Sequence, residues 1–369
     1  MIKLSVHLIT WNGAKYIPYL FDSLKKQTVR DWELLIIDNH SADNTVAAIQ
    51  TALVNFPVSS RVIVNLENRG FAGGHNQAFQ EATGEYVLLL NQDMYLEPDC
   101  LEKLMVFMEK NPNAAAVAPR LMRWNFSADL DPPDSLREAL RAGRFNEDSD
   151  RLRKSFSNTV DALGLKIFRN RRVVEQCAGE EWDTKERGWG GQTLEVFGIS
   201  GAFALFRRTA LQQTAFSDGT FFDRWYFMYK EDLDLAYRLR SFGLSSYVLL
   251  DAVAYHDRTG AGASELSDWA AARNKKSHSS VVRYYSYCNH LATLYKNEYW
   301  QNFILDFPWI AWYEFKKLIY FLLFDRSVPA GLRELRRRLK YYKIEKLNIK
   351  SKRKVSWREM RRWWNATSA

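Results

Sequence analysis

The sequence predicts an α/β protein with a mostly parallel central sheet flanked by helices, followed by a helical region of different character. Three observations predict it. Short apolar runs alternate with segments at helical spacing from the first residues, two of those runs stop abruptly at acidic residues, and beyond Tyr299 the chain turns aromatic and then strongly basic.

Leu4 to Ile9 alternates into a strand, Thr10-Trp11-Asn12-Gly13 breaks it, and Tyr16, Leu20, Leu24 and Gln27 follow at helical spacing. Trp32 to Ile37 is the second strand. It ends at Asp38-Asn39-His40-Ser41, and Asp43 stands where it can cap the helix around Val46 to Ile49. Val62 to Leu66 reads as a third strand, with a glycine-containing loop, Glu67 to Asn76, before a helix around Gln77 to Ala82. Its glycines allow a ligand close to the backbone. The loop is neither G-x-G-x-x-G nor a P-loop, which argues against dinucleotide oxidoreduction and P-loop phosphoryl transfer. Tyr86 to Leu90 is apolar on both faces and stops at Asn91-Gln92-Asp93. Ligands of open α/β sheets sit beyond the carboxyl ends of the strands, so Asp38 and Asp93 are delivered to the binding edge, and Asp93 stands where a metal or a phosphate would be met.

Further on, Glu231-Asp232-Leu233-Asp234 opens a helix whose Leu235, Leu239 and Phe242 lie at apolar spacing. Acids in a first turn suit the helix dipole. The approach is crowded with aromatics between Phe221 and Tyr229, including Trp225, and a carboxylate in apolar surroundings gains the raised pKa a general base needs.

Taken in order, Thr10-Trp11-Asn12, Asp38-Asn39-x-Ser41, Asn68-x-Gly70-Phe71-Ala72-Gly73-Gly74-x-Asn76 and Leu90-Asn91-Gln92-Asp93 resemble the family 2 glycosyltransferases, especially their rhamnosyltransferase-like branch. Gly198-x-x-Gly201-Ala202-Phe203, Glu231-Asp232-Leu233-Asp234 with Arg238, and Tyr255-His256 extend the resemblance over about residues 1 to 300. It implies a GT-A fold and a nucleoside-diphosphate sugar donor. Thr10, Asn12, Asp38, Asn68, Gly73, Asn76 and Gln92 would line the nucleotide-sugar pocket, and Asp93 and His256 would hold Mn²⁺ or Mg²⁺ against the departing diphosphate. Many relatives carry two acids in the strand-end motif, where this chain has Asn91 and Asp93. Asp232 would be the base that takes the acceptor hydroxyl proton, with inversion at the anomeric carbon. Glu231 would orient the acceptor, Gly201, Trp225 and Arg238 would lie on the acceptor side, and Asp234 would do no more than pair with Arg238 at i+4.

Composition agrees with a large globular core: 369 residues, 47% hydrophobic and 26% charged. Cys100, Cys177 and Cys288 are isolated, as in a reducing compartment, and Met1-Ile2-Lys3 runs straight into the first strand without the apolar stretch of a signal peptide, so the cytoplasm is the expected location. Charge is uneven. Arg326 to Ala369 holds fifteen Lys and Arg against three acids, a net of +12 in a chain that is +9 overall. Just upstream, Tyr299 to Phe324 is rich in Trp, Phe and Tyr but interrupted by Asp306, Pro308, Glu314, Lys316 and Lys317, too often to span a bilayer, which takes about 20 apolar residues. An aromatic segment followed by a polybasic one predicts an interfacial platform on an anionic membrane surface at the inner face of the cell membrane. A packed helical appendage is the alternative, and a nucleic-acid patch is not expected without a recognition fold.

The expected organisation is a GT-A domain over residues 1 to 265, with a lid-like insertion at Trp124 to Asn158, and a helical region over residues 266 to 369. The expected function is an inverting, metal-dependent glycosyltransferase acting on a glycan or lipid-linked acceptor in cell-surface polysaccharide synthesis. A nucleotidyltransferase would need a glycine- and arginine-rich loop after the first strand, and an inactive glycan-binding or scaffold protein would not need Asp232 and His256.

Overall fold

The computed structural model describes residues 2–126, 149–183, 193–258, 279–324 and 327–364. Most of the insertion expected at 124–158 falls outside them. Four strands form a parallel block in the order β4 (Tyr86–Asn91), β1 (Leu4–Thr10), β2 (Trp32–Asp38), β3 (Ser60–Val64). Three crossover helices join them: α1 (Ile17–Lys25), α2 (Thr45–Ala52) and α3 (Gly70–Glu81). Leu4, Val6, Leu8, Leu34, Ile36, Leu88 and Leu90 are fully buried in one core layer, and Val87 and Leu89 are buried in the other, which is why β4 carries no polar alternation, while β1 buries Ser5 and His7 on its second face. Register holds the strand ends level, with Thr10 opposite Asp38 and Ile9 opposite Asn91.

Two boundaries differ from expectation. The third strand starts at Ser60, and the glycine loop is already helix from Gly70, so Gly73 and Gly74 sit in the first turns of α3. Packing explains the glycines. A Cβ on Gly70, whose φ is +70°, would lie 2.2 Å from the Phe227 carbonyl oxygen, and one on Gly74 would lie 3.0 Å from Ile9.

The other half of the sheet is mixed. β5 (Met94–Leu96) and α4 (Cys100–Lys110) lead to β6 (Ala114–Trp124), and α5 (Ser149–Ser155) to β7 (Phe156–Ala162). The small hairpin β8 (Leu165–Ile167) and β9 (Val173–Glu175) follows, then β10 (Thr193–Val196), β11 (Phe203–Arg207), α6 (Arg208–Thr214), α7 (Glu231–Ser241) and β12 (Ser245–His256). β11 runs antiparallel to both β4 and β6, while β12 lies parallel to β6 and antiparallel to β10 and β5. Two ladder irregularities matter for the site. Opposite the consecutive pair Pro119 and Arg120, β12 places Leu249 and Val253, so Leu250 to Ala252 bulge out where Pro119 has no N–H to give. In β7, Ala162 pairs with Leu121 and Val160 with Met122, which leaves Asp161 as an extra, unpaired residue.

The remaining helices are α8 (Ser280–Asn297), α9 (Trp300–Phe324), α10 (Ser327–Arg337), α11 (Leu339–Lys352) and α12 (Trp357–Arg361). They pack into the same cores as the sheet: Ala292 and Tyr342 join one cluster, Tyr299, Met360 and Trp364 another. Buried ion pairs tie them down. Lys296 reaches Asp223 and, at 3.1 Å, Asp234, while Asp306 accepts from Arg169, Arg171 and Arg361 at 2.6 to 3.0 Å. Among the described residues no helix is long and apolar enough to cross a membrane. Helix α9 is partly inverted: Asn302, Asp306 and Lys317 face the protein alongside Ile310 and Phe321, while Trp300, Ile304, Trp312 and Leu323, each 60–69% exposed, face out.

Candidate active site

The strand ends of the parallel block supply the first wall. Asp38 is fully buried and accepts from Thr10 Oγ1 (2.9 Å), Ser41 Oγ (2.6 Å) and the Ser41 amide (2.9 Å). Ser41 Oγ in turn accepts from the Asn12 amide, and Asn12 Oδ1 accepts from the Ala42 amide at 2.8 Å. Asn12 takes the left-handed conformation, φ +47°, that Asn tolerates, and its side chain stays exposed. Asp38 and Thr10 therefore brace the two loops, and Asn12 is the member of the set that faces solvent. Gln92 is spent on Trp11, accepting from its amide and donating to its carbonyl oxygen, both at 3.0 Å.

Two of the residues expected to contact ligand, Asn76 and Arg238, are buried in packing. Asn76 is buried in a two-way hydrogen bond with the Phe222 backbone, and Asn68 accepts from the Gly70 amide at 2.8 Å. Arg238, expected on the acceptor side, is fully buried and gives its guanidinium to Asp234 and to the Thr214 and Phe221 carbonyl oxygens. A helix motif does not reveal which of its residues face inward. Asp234 pairs with Arg238 as expected, and also with Lys296 and Asn297. Trp225 is partly exposed, with the Arg338 guanidinium over its ring.

His256 arrives from the far end of the sheet. Pairing of β12 with β5 sets His256 opposite Met94, beside Asp93, and the Asp257 amide donates to the Asp93 carbonyl oxygen at 3.0 Å. His256 Nε2 then lies 3.5 Å from Asp93 Oδ1, a buried oxygen without a hydrogen-bond partner. Nδ1 lies 2.9 Å from Asp161 Oδ2. Burial alone would lower the imidazole's pKa, but the Asp93 and Asp161 carboxylates outweigh it and push it up to about 10. A cavity of about 320 Å³ opens beside it, lined by Arg123, Trp124, Phe126, Asp257 and Arg258.

The second wall is the first turn of α7. Tyr229 and Lys230 both have φ near +70°, a rare pair of left-handed non-glycine residues that turns the chain sharply into the helix. Asp232 is half-buried, with the Gly201 amide 3.4 Å from its Oδ2, and a Cβ on Gly201 would lie 3.6 Å from the Asp232 Cβ. Glu231 beside it is buried with Oε2 unpartnered, and burial, reinforced by the Asp232 charge, pushes its carboxyl up to about 8.

Sequence reasoning missed Asp161, Glu175 and Arg258. Arg258 bridges the two acids, 3.7 Å from Asp161 and 3.2 Å from Glu175, and burial pushes the Glu175 carboxyl up to about 7. An acid inside the run Val160-Asp161-Ala162, and an arginine two residues after the histidine, were the available signals.

Among the described residues no group of three or more His, Cys, Asp or Glu is arranged to hold a metal ion. Asp93 and His256 do suit one. One carboxylate oxygen lacks a partner, one imidazole nitrogen faces it, and the opposite nitrogen is held by a carboxylate, leaving further positions to water and a substrate phosphate.

A parallel half-sheet with acids at its strand ends, joined to a mixed half that returns a histidine beside them, defines the GT-A glycosyltransferase class. The chain belongs to glycosyl transferase family 2, whose model matches residues 5–214. It is 37% identical over 114 residues to a chondroitin synthase of Pasteurella multocida (strain Pm70) and, over the same length, to a hyaluronan synthase of Pasteurella multocida. Each match covers 31% of this chain and only 12% or 11% of those proteins. Among solved structures it is similar in fold to GalNAc-T7, crystallised with UDP, GalNAc and Mn²⁺: TM-score 0.51 and 12% identity, over 69% of this chain and 43% of the other.

Proposed function

We propose that this protein transfers a sugar from a nucleoside-diphosphate donor to a glycan or lipid-linked acceptor, with inversion and with a divalent cation, in cell-surface polysaccharide synthesis. The observation that carries this reading is the unpartnered Asp93 oxygen 3.5 Å from His256 Nε2, at the carboxyl edge of a sheet whose other wall offers Asp232. The nucleoside lies against the braced rim of Asn12, Thr10 and Asp38. Asp93 and His256 would hold Mn²⁺ or Mg²⁺, which would supply positive charge to the leaving diphosphate. The acceptor oxygen forms its bond to the anomeric carbon as the bond to the diphosphate oxygen breaks on the opposite face, and the hydroxyl proton passes to Asp232. Glu231, kept neutral by burial, donates a hydrogen bond that orients the acceptor.

Residues 1 to 265 carry this chemistry, and residues 266 to 369 attach the enzyme to the anionic inner face of the cell membrane. The inverted face of α9 beside fifteen basic residues supports the attachment, and the glycosaminoglycan synthases it resembles support a polysaccharide product.

Thermal shift against UDP-, GDP- and dTDP-sugars, each with Mn²⁺ or EDTA, tests the donor and metal together. One donor is expected to raise the melting temperature in Mn²⁺ and to lose most of that effect in EDTA. A donor that stabilises equally in EDTA would remove the metal from the reading.

A further inference from the structure

Asp161 has no place in the family resemblance, yet the fold takes trouble to aim it. Val160, Asp161 and Ala162 are all buried, which alternation in a regular strand does not allow for a polar residue on a sheet with two apolar faces. The bulge solves this. Val160 pairs with Met122 and packs in one core layer, Ala162 pairs with Leu121 and packs in the other, and the extra residue between them is free of the ladder. Bulges re-aim a side chain in this way beside active sites. Asp161 Oδ2 thereby reaches His256 Nδ1 at 2.9 Å, while Arg258 stands 3.7 Å from its other oxygen.

We propose that Asp161 is a positioning residue for the cation site. By accepting a hydrogen bond from His256 Nδ1–H, it fixes the ring so that Nε2, once the cation displaces its proton, faces the cation shared with Asp93. The inference rests on the metal reading above. A carboxylate on the far nitrogen orients a ligating imidazole and raises its basicity, and losing such a partner typically weakens metal binding 10- to 100-fold. Arg258 keeps the carboxylate itself in place and joins it to Glu175 at 3.2 Å.

The test measures Mn²⁺ binding, not turnover. Free Mn²⁺ is counted by electron paramagnetic resonance in titrations of wild type, Asp161→Asn, His256→Ala and the double variant, with melting temperatures recorded alongside. Asp161→Asn keeps the shape and is expected to weaken Mn²⁺ about 10-fold or more. In the His256→Ala background the same change is expected to do nothing further, because its effect runs through the imidazole. Equal Mn²⁺ affinity in wild type and Asp161→Asn, with His256→Ala impaired, would overturn the positioning role and leave the metal reading standing. Additive losses in the double variant would also overturn it, since Asp161 would then act without His256. A wild type that binds no Mn²⁺ would overturn both. Should Asp161→Asn fail to fold, Asp161→Glu replaces it, with weakened binding expected from the displaced carboxylate and unchanged binding counting against the role.

Discussion

The parallel sheet block and helix α9 solve burial in opposite ways. In the block, apolar residues point inward from every strand, and the acids Asp38 and Asp93 stand at or just beyond the strands' carboxyl ends. In α9 the inward positions carry Asn302, Asp306 and Lys317 beside Ile310 and Phe321, and most of the other large apolar side chains point out. A helix that turns charge toward its own protein and much of its hydrocarbon outward is the feature on which the proposed membrane attachment rests. The contrast also separates two energetic currencies. The block is held by non-directional apolar burial, whereas α9 is docked by buried ion pairs, which lose more when one partner is removed than they gain as a pair.

The largest expected effect breaks the chemistry of the first region alone. Asp232→Asn retains shape and first-turn polarity but cannot accept a proton, so kcat is expected to fall about 10²- to 10⁴-fold with donor affinity nearly unchanged. Donor titration and turnover measured on one preparation check this, and near wild-type turnover would remove Asp232 from the mechanism. Next comes the docking of α9. Asp306→Ala leaves Arg171 buried without one of its two carboxylates and is expected to cost about 3–5 kcal/mol, read as a lower denaturant midpoint. A loss below about 1 kcal/mol would mean that apolar contacts hold the helix. The smallest effect sharpens the comparison most. Trp312→Ser on the outer face is expected to leave stability within about 0.5 kcal/mol, although Trp is the largest side chain available to lose. The same change is expected to weaken binding to anionic vesicles about 10-fold or more, since burying a large apolar side chain contributes at least about 1.5 kcal/mol. Unfolding by this single change, or unaltered vesicle binding, would make α9 an ordinary packed helix.

What the sequence made legible follows the same division. Tyr86 to Leu90 and Trp32 to Ile37 announce themselves because a strand buried on both faces has no reason to be polar until it ends, so Asp38 and Asp93 were found at once. Asp161, Glu175 and Arg258 were not, because they become neighbours only through the register of β7 against β6 and the fold of a three-residue-strand hairpin, neither of which leaves a periodic trace. Arg238 and Asn76 carry the motif yet face inward, since spacing along a helix fixes a face but not which face is the protein's. In α9 the charged residues that argued against a membrane span include the inward-facing ones, Asp306 and Lys317.

The bulge at Leu250 to Ala252 makes β12 two strands in one. Its first part answers to the outer edge, with Ser246 to Leu249 laddered to β10, and its second part answers to β5 and the end of β6. Between them the three extra residues leave the ladder, with Leu250 and Ala252 buried in the cores and the Asp251 carbonyl oxygen accepting from Lys103. The register of β12 against β10 and its register against β5, where His256 stands, are therefore set on opposite sides of the bulge.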